Sequence, residues 1–186
     1  MPWALSRRSF LRGVGAAVAA GALRGMGAEA PRPNVVFILI DDLGWRDVGC
    51  NGSLFYETPN VDRLAREGLR FTDGYAACTV CSPTRASLMT GKYPARLHLT
   101  DWIAGHARPH AKLRIPPWTQ FLPLEETTLA EAVQPLGYAT GFIGKWHLGE
   151  REEYWPQHQG FQTNIGGYSR GQPPSYFAPY RIPTMT

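Results

Sequence analysis

Residues 34–42 read NVVFILIDD, and this stretch is the strongest indication of fold class in the sequence. A short, uninterrupted apolar run rich in β-branched residues is typical of a strand buried on both faces, as in a parallel sheet. The run ends abruptly in Asp41 and Asp42, so two carboxylates stand at the carboxyl end of the predicted strand. In open α/β sheets ligands bind at that edge. The stretch therefore predicts both a parallel sheet and the position of a site.

Predicted helices and strands alternate along the chain that follows. Pro59 at a first helical position, Gly91 just past a helical segment and the capping box of Thr128 with Glu131 mark the helix ends. The predicted elements are strands at 34–40, 69–75 and 138–144, and helices at 58–67, 83–89 and 128–135. We expect loops at 97–124 and 149–186, where Gly and Pro are frequent. This alternation predicts an α/β fold with a mostly parallel sheet flanked by helices.

Composition and charge exclude several classes of protein. The chain has 186 residues, of which 44% are hydrophobic and 18% charged, so it has enough apolar residues for a core and is not of a disordered type. Its formal net charge is +4, but residues 1–30 hold four arginines against Glu29 alone, which leaves +1 for the rest. We therefore expect no nucleic-acid partner. No uncharged apolar run is long enough for a stable membrane span.

Residues 1–30 have the pattern of an export signal. They read SRRSFL at 6–11, followed by a weakly apolar run at 13–23 and the small-x-small sequence AEA at 28–30. Paired arginines of this kind mark a twin-arginine signal peptide, whereas the glycines of the run disfavour the alternative, an amphipathic surface helix. We expect the twin-arginine translocation machinery as a partner and a periplasmic or extracellular location.

Two further groups of residues have the chemistry of an active site. Cys81 stands near the start of a predicted helix, where unpaired N–H groups favour negative charge, and Arg85 lies on the next turn. Lys145 and His147 directly follow the predicted strand at 138–144, at the same sheet edge as Asp41. Such an electropositive setting suits a nucleophile that attacks an anionic ester. Paired carboxylates suit Ca²⁺ or Mg²⁺, although a solvated turn is an equally good reading of them.

The sequence CSPTR at 81–85, with TG at 90–91, resembles the signature of the type I sulfatases. Other motifs of that family stand in the same order along the chain: PN at 33–34, DD at 41–42, TPN at 58–60, GYAT at 137–140 and GKWHLG at 144–149. The resemblance implies an alkaline phosphatase-like fold, of which residues 31–186 are the N-terminal part of the catalytic domain. Counterparts of the family's later metal and sulfate ligands are missing here, so we expect a truncated domain that is inactive on its own.

The resemblance also implies residue roles. Asp41 and Asp42 match ligands of a divalent cation, usually Ca²⁺, with Mg²⁺ possible. Cys81 matches the cysteine that a formylglycine-generating enzyme oxidises to Cα-formylglycine, whose hydrate is both the nucleophile and a metal ligand. Arg85 matches the residue that holds this hydrate.

Two later residues complete the implied sulfate site. Lys145 matches the lysine that binds a sulfate oxygen, and His147 the histidine that hydrogen-bonds the hydrate. The implied activity is hydrolysis of aryl or carbohydrate sulfate monoesters.

Other functions are compatible with parts of the pattern. A phosphonate or phosphate monoester hydrolase of the same superfamily uses the same motif, and a non-catalytic binder of sulfated ligands would keep the pocket without the aldehyde. Cys78 and Cys81 form a C-x-x-C pattern typical of redox proteins, but a disulfide there would consume the nucleophile. Cys50 adds a third thiol for a zinc site, yet no second ligand pair has suitable spacing. Trp102 and Trp118 can stack on sugar rings or serve packing alone.

Overall fold

The computed structural model describes residues 32–106, residue 110 and residues 112–185. The predicted signal peptide at 1–30 lies outside the described residues. The chain divides into two compact units, Met1–Ile40 and Asp41–Thr186.

The predicted strand at 34–40 is not formed, which corrects that part of the sequence interpretation. Described residues of the first unit carry no helix or strand, and Val35, Val36 and Ile38 are more than three-quarters exposed. A strand exists only through a ladder of hydrogen bonds to a neighbour, and the described part of this unit contains no such neighbour. An apolar run by itself shows that burial is favourable but does not supply the partner.

The second unit contains four helices and two strands among its described residues. The helices are α1 (Pro59–Glu67), α2 (Cys81–Thr90), α3 (Pro94–Leu97) and α4 (Leu129–Val133), and the strands are β1 (Gly141–Ile143) and β2 (Thr163–Ile165). Short 3₁₀ turns cover Gly49–Asn51, Gln134–Leu136, Glu152–Tyr154 and Pro156–His158. No described helix has the length and apolar character needed to cross a membrane. The predicted strand at 69–75 is absent, because its apolar residues Leu69 and Phe71 are exposed and have no paired strand.

The helix ends follow the local signals, except that α2 begins at Cys81, two residues before the predicted start at Pro83. α1 begins at Pro59, and α2 ends at Gly91, whose φ of 68° is the left-handed conformation that glycine adopts without strain. α4 has the predicted capping box: the Thr128 hydroxyl accepts from the Glu131 backbone N–H at 3.2 Å, and the Glu131 carboxylate accepts from the Thr128 N–H at 2.8 Å. These three helix predictions are confirmed.

β1 and β2 form a parallel pair, which confirms the fold class. Gly141 lies opposite Thr163 and Ile143 lies opposite Ile165. β1 is a shorter form of the strand expected at 138–144, whereas β2 lies in a region expected to be loops. Since the strands are parallel, the segments that follow them leave the sheet at the same edge.

The core of the second unit anchors the segment that follows β1. Trp146 is almost fully buried and meets Phe142 and Phe161 edge to face, with ring centroids 5.1 Å and 6.0 Å away. Its indole N–H donates to the Tyr154 carbonyl at 2.9 Å. Leu148, two residues on, is also fully buried. Residues 145–149 are therefore held in one place by consecutive buried residues.

Candidate functional site

Cys81 is the first residue of α2, and neighbouring contacts fix the start of this helix. The Thr84 hydroxyl donates to the Cys78 carbonyl at 2.8 Å and accepts from the Cys78 N–H at 3.1 Å. The buried Ser82 hydroxyl accepts from the Ile103 N–H at 3.1 Å. The half-buried Cys81 side chain therefore stands on a rigid helix end rather than on a free loop.

His147 lies beside Cys81 and is oriented by a second hydrogen bond. Its Nδ1 is 3.3 Å from the Cys81 sulfur, and its Nε2 bonds to the Ile103 carbonyl. Burial lowers the pKa of His147 below its usual value of 6.5, so the imidazole is neutral at pH 7. Because a carbonyl can only accept, Nε2 carries the proton and the lone pair of Nδ1 faces Cys81. His147 has a left-handed φ of 59°, a conformation that costs free energy in a residue other than glycine.

Arg85 and Lys145 enclose the carboxylate of Asp41. Nη2 of Arg85 is 3.2 Å from Oδ1 of Asp41, and Nζ of Lys145 is 2.6 Å from Oδ2. Nη1 of the nearly buried Arg85 donates to the Lys145 carbonyl, which ties α2 to the segment after β1. Burial raises the pKa of Asp41, but the hydrogen bonds and charges of Lys145 and Arg85 together outweigh it, so the pKa of Asp41 is lowered. We call the group formed by Asp41, Cys81, Arg85, Lys145 and His147 the ion cluster.

Asp42 is the one predicted site residue that the structure leaves outside these contacts. It has a left-handed φ of 55° and an exposed side chain. Among the described residues no group of three or more His, Cys, Asp or Glu side chains is arranged to hold a metal ion. The carboxylates of Asp41 and Asp42 are the hard oxygen donors that Ca²⁺ and Mg²⁺ take, but Ca²⁺ needs about six to eight oxygen ligands. The donor chemistry thus fits such a cation, while the two carboxylates alone supply too few ligands.

The three cysteines of the described chain are all free thiols. Cys78 and Cys81 therefore do not form the disulfide that the redox interpretation requires. The thiol at position 81 is available for modification.

A cavity of about 390 Å³ adjoins the ion cluster. It shares Lys145 and His147 with the cluster, and its wall also includes Trp102, Glu150, Ser169 and Arg170. Ser169 and Arg170 follow β2, and the sequence analysis missed them because it missed that strand. The available signal was the apolar-ended triplet TNI at 163–165 followed by Gly166 and Gly167, a strand-and-turn pattern too short to distinguish from a loop.

Gly171 packs directly against the imidazole of His147. A Cβ added at this position would lie 2.5 Å from Cε1 and 2.7 Å from Nδ1 of the ring. Its φ is not left-handed, so the need for glycine here is steric rather than conformational. The segment after β2 therefore helps to hold the ring that faces Cys81.

Comparisons with known proteins identify the family of the chain. The Sulfatase family model matches residues 33–181. The chain is 46% identical over 138 residues to arylsulfatase G of Rattus norvegicus (74% of this chain, 24% of the relative) and 44% identical over 150 residues to arylsulfatase A of Homo sapiens (79% and 28%). It thus spans about a quarter of the length of these curated relatives.

A solved structure gives the same result. The PsFucS1 sulfatase from Pseudoalteromonas sp. aligns with a TM-score of 0.58 and 36% sequence identity, covering 81% of this chain and 29% of that one. An identity well above chance accompanies the similarity in fold, and the range matched by the Sulfatase family model contains the whole ion cluster. The chain therefore belongs to the sulfatase family.

Proposed function

We propose that the whole protein that includes this chain hydrolyses sulfate monoesters and that position 81 supplies the nucleophile. The observation that carries this proposal is the contact between the Cys81 side chain and the unprotonated Nδ1 of His147, next to two cations. Arg85 and Lys145 contribute two positive charges against the single carboxylate of Asp41. This excess of positive charge attracts an anionic ester and stabilises charge on its oxygens in the transition state.

Cys81 is proposed to be oxidised to Cα-formylglycine by a formylglycine-generating enzyme. Its hydrate supplies two hydroxyls on one carbon. One attacks sulfur and displaces the alcohol or phenol of the ester, and deprotonation of the other then expels the sulfate and restores the aldehyde. His147 is placed to accept a proton at Nδ1, since its other nitrogen already donates to the Ile103 carbonyl. The guanidinium of Arg85 orients the group at position 81, because Arg85 lies one turn further along the same helix.

Lys145 is proposed to bind a sulfate oxygen. Its ammonium group lies at the cavity wall and bonds to Asp41, so a sulfate oxygen that enters the cavity meets a cation already held in place. Lys145 is fixed through Trp146, the buried residue that follows it. Positioning of this kind reduces the reorganisation that accompanies binding.

Asp41 and Asp42 are proposed ligands of a divalent cation, Ca²⁺ or Mg²⁺. Such an ion supplies Lewis-acid polarisation of a sulfate oxygen. Its charge would also offset the repulsion between the two adjacent carboxylates. Removing divalent cations with a chelator should lower turnover, and adding back Ca²⁺ should restore it. Unchanged turnover after chelation, with no metal detected by elemental analysis, would contradict the metal site.

Export by the twin-arginine route, to the periplasm or beyond the cell, completes the proposal. It rests on the residues at 6–11. Replacing both Arg7 and Arg8 with Lys should leave the protein in the cytoplasm, as measured by cell fractionation. Normal export of this variant would exclude the twin-arginine route.

Turnover of 4-nitrophenyl sulfate tests the enzymatic proposal. The whole protein that includes this chain is produced together with a formylglycine-generating enzyme, and Cys81→Ala is compared with Cys78→Ala as a matched control. We expect Cys81→Ala to abolish turnover and Cys78→Ala to retain most of it. Equal turnover by both variants would contradict the assigned nucleophile.

The same experiment separates the alternative functions. The ion cluster recognises a tetrahedral anion through its cations, and phosphate esters present a similar anion. Faster hydrolysis of 4-nitrophenyl phosphate than of the sulfate would assign the protein to the phosphate and phosphonate hydrolases. Binding of the sulfate ester without turnover, with the thiol at position 81 intact, would indicate a non-catalytic binder.

A further inference from the structure

The cavity beside the ion cluster contains a second cation that the proposed hydrolysis does not use. Lys145 is already paired with Asp41, whereas Arg170 lines the cavity and forms no ion pair with any described residue. Arg170 follows β2, while Lys145 follows β1, so the two cations reach the cavity from separate segments at one edge of the sheet. The cavity can therefore meet two negative groups at two different points.

Trp102 contributes an aromatic surface to the same cavity, and a small network fixes its position. Its Nε1 donates to Nε2 of His106 at 3.3 Å, and Nδ1 of His106 lies 2.8 Å from the Asp101 carboxylate. The other Asp101 oxygen accepts from the backbone N–H of Trp102 at 2.8 Å. The half-buried indole is thus held at both its ring and its backbone, as a stacking surface for a ring would be.

We propose that Arg170 binds a carboxylate on the leaving group of the sulfate ester while Trp102 packs against the ring that carries it. This inference rests on the proposed function, because it places the sulfate at Lys145 and the remainder of the substrate in the cavity. The planar guanidinium matches the two oxygens of a carboxylate better than it matches a single hydroxyl. The substrate class is therefore a ring sulfate that carries a neighbouring carboxylate, and Arg170 is a specificity-determining residue.

Glu150 should weaken the preference for a carboxylated ligand, and this opposite effect provides a second test of the proposal. It also lines the cavity and forms no ion pair with any described residue. Its negative charge repels a carboxylate bound at Arg170, so the two residues should have opposite effects on the same ligand. A purely structural contribution of either residue would not produce opposite effects.

The test measures the binding of two non-hydrolysable probes by calorimetry. Benzylsulfonate replaces the bridging ester oxygen with carbon, and 3-carboxybenzylsulfonate adds the carboxylate. We expect the carboxylated probe to bind the parent protein about fivefold more tightly, a ratio typical of one partly exposed charge pair. Arg170→Gln should reduce this ratio to about one, whereas Glu150→Gln should raise it about twofold.

Two controls complete the design. Arg66→Gln removes an exposed arginine of α1 that does not line the cavity, and it should leave the ratio unchanged. Raising the salt concentration should reduce the ratio, because exposed charges are screened. If the parent shows no preference for the carboxylated probe, or if Arg170→Gln retains the preference, the inference is wrong.

Turnover of phenyl sulfate and 3-carboxyphenyl sulfate by the whole protein that includes this chain is measured in parallel to separate the two proposals. A calorimetric preference that depends on Arg170, without turnover of either ester, supports the subsite and contradicts the hydrolase. Turnover of both esters without any preference supports the hydrolase and contradicts the subsite.

Discussion

In the whole protein that includes this chain, Gly171→Ala should impair turnover by displacing His147. The added Cβ would lie 2.5 Å from Cε1 and 2.7 Å from Nδ1 of the imidazole, about 1 Å closer than ordinary van der Waals contact. The ring cannot simply retreat, because Nε2 is bonded to the Ile103 carbonyl and Nδ1 faces Cys81 at 3.3 Å. A shift of about 1 Å in a reacting group can reduce turnover about 100-fold, and overpacking costs about 1–3 kcal/mol of stability.

The assay for this variant compares kcat on an aryl sulfate, the free energy of unfolding and the modification of Cys81. Gly74→Ala is the matched control, since a Cβ there would meet no atom closer than 3.9 Å. We expect a fall in kcat of about 10- to 100-fold with Cys81 still modified, and no change in the control. If Gly171→Ala keeps kcat within about twofold of the parent, the claim that Gly171 positions His147 is refuted.

Two further predictions concern pH and stability. Burial lowers the pKa of His147 below 6.5, so the neutral imidazole persists below the pH at which an ordinary histidine is protonated, and the acid limb of the kcat profile should lie below pH 6.5. The contribution of His147 to folding stability is complete above pH 6.5 and is lost as the pH falls through the lowered pKa, and urea titrations at several pH values should show this loss. A kcat profile with its acid limb above pH 6.5 would contradict the direction of the pKa shift. Thr128→Ala removes the cap of α4 and a buried hydrogen bond from the hydroxyl to the Gln159 carbonyl. It should therefore lower the free energy of unfolding, measured by chemical denaturation, by about 1–3 kcal/mol. Thr127→Ala changes an exposed side chain and should leave that free energy almost unchanged. Equal losses in the two threonine variants would show that neither the cap nor the buried bond contributes.

The sequence predicted those features that local chemistry determines. Pro59 and the Thr128–Glu131 capping box fix helix starts through the chain's own nearest neighbours, and Gly91 fixes a helix end. Such signals need no knowledge of the tertiary fold. Lys145 and His147 were also identified, because they directly follow a strand with a recognisable apolar pattern.

Features that depend on distant partners were not predictable in the same way. β2 has three residues and too short a pattern to distinguish from loop, so Ser169, Arg170 and Gly171 could not be placed at the site. The run at 34–40 illustrates the opposite case. Its apolar pattern is strong, yet the described residues of its unit provide no strand to pair with, so the ladder does not form.

The metal ligands show a third kind of limit. Adjacent Asp41 and Asp42 suggest a shared ion, but in the structure Asp41 is bonded to Arg85 and Lys145 while Asp42 is exposed. The sequence identifies carboxylates but not which cation each one meets. Which cation binds each carboxylate depends on competition for its oxygens between the nearby Arg and Lys side chains and a divalent metal ion.

Peptide mass spectrometry shows whether position 81 is converted to an aldehyde, on which the proposed hydrolysis depends. The protein is produced beside a formylglycine-generating enzyme, and the tryptic peptide of residues 71–85 is isolated from it. We predict a mass deficit located at Cys81 that corresponds to replacement of CH₂SH by CHO, with Cys78 in the same peptide unmodified. An intact thiol at Cys81, or a disulfide joining it to Cys78, would contradict the account.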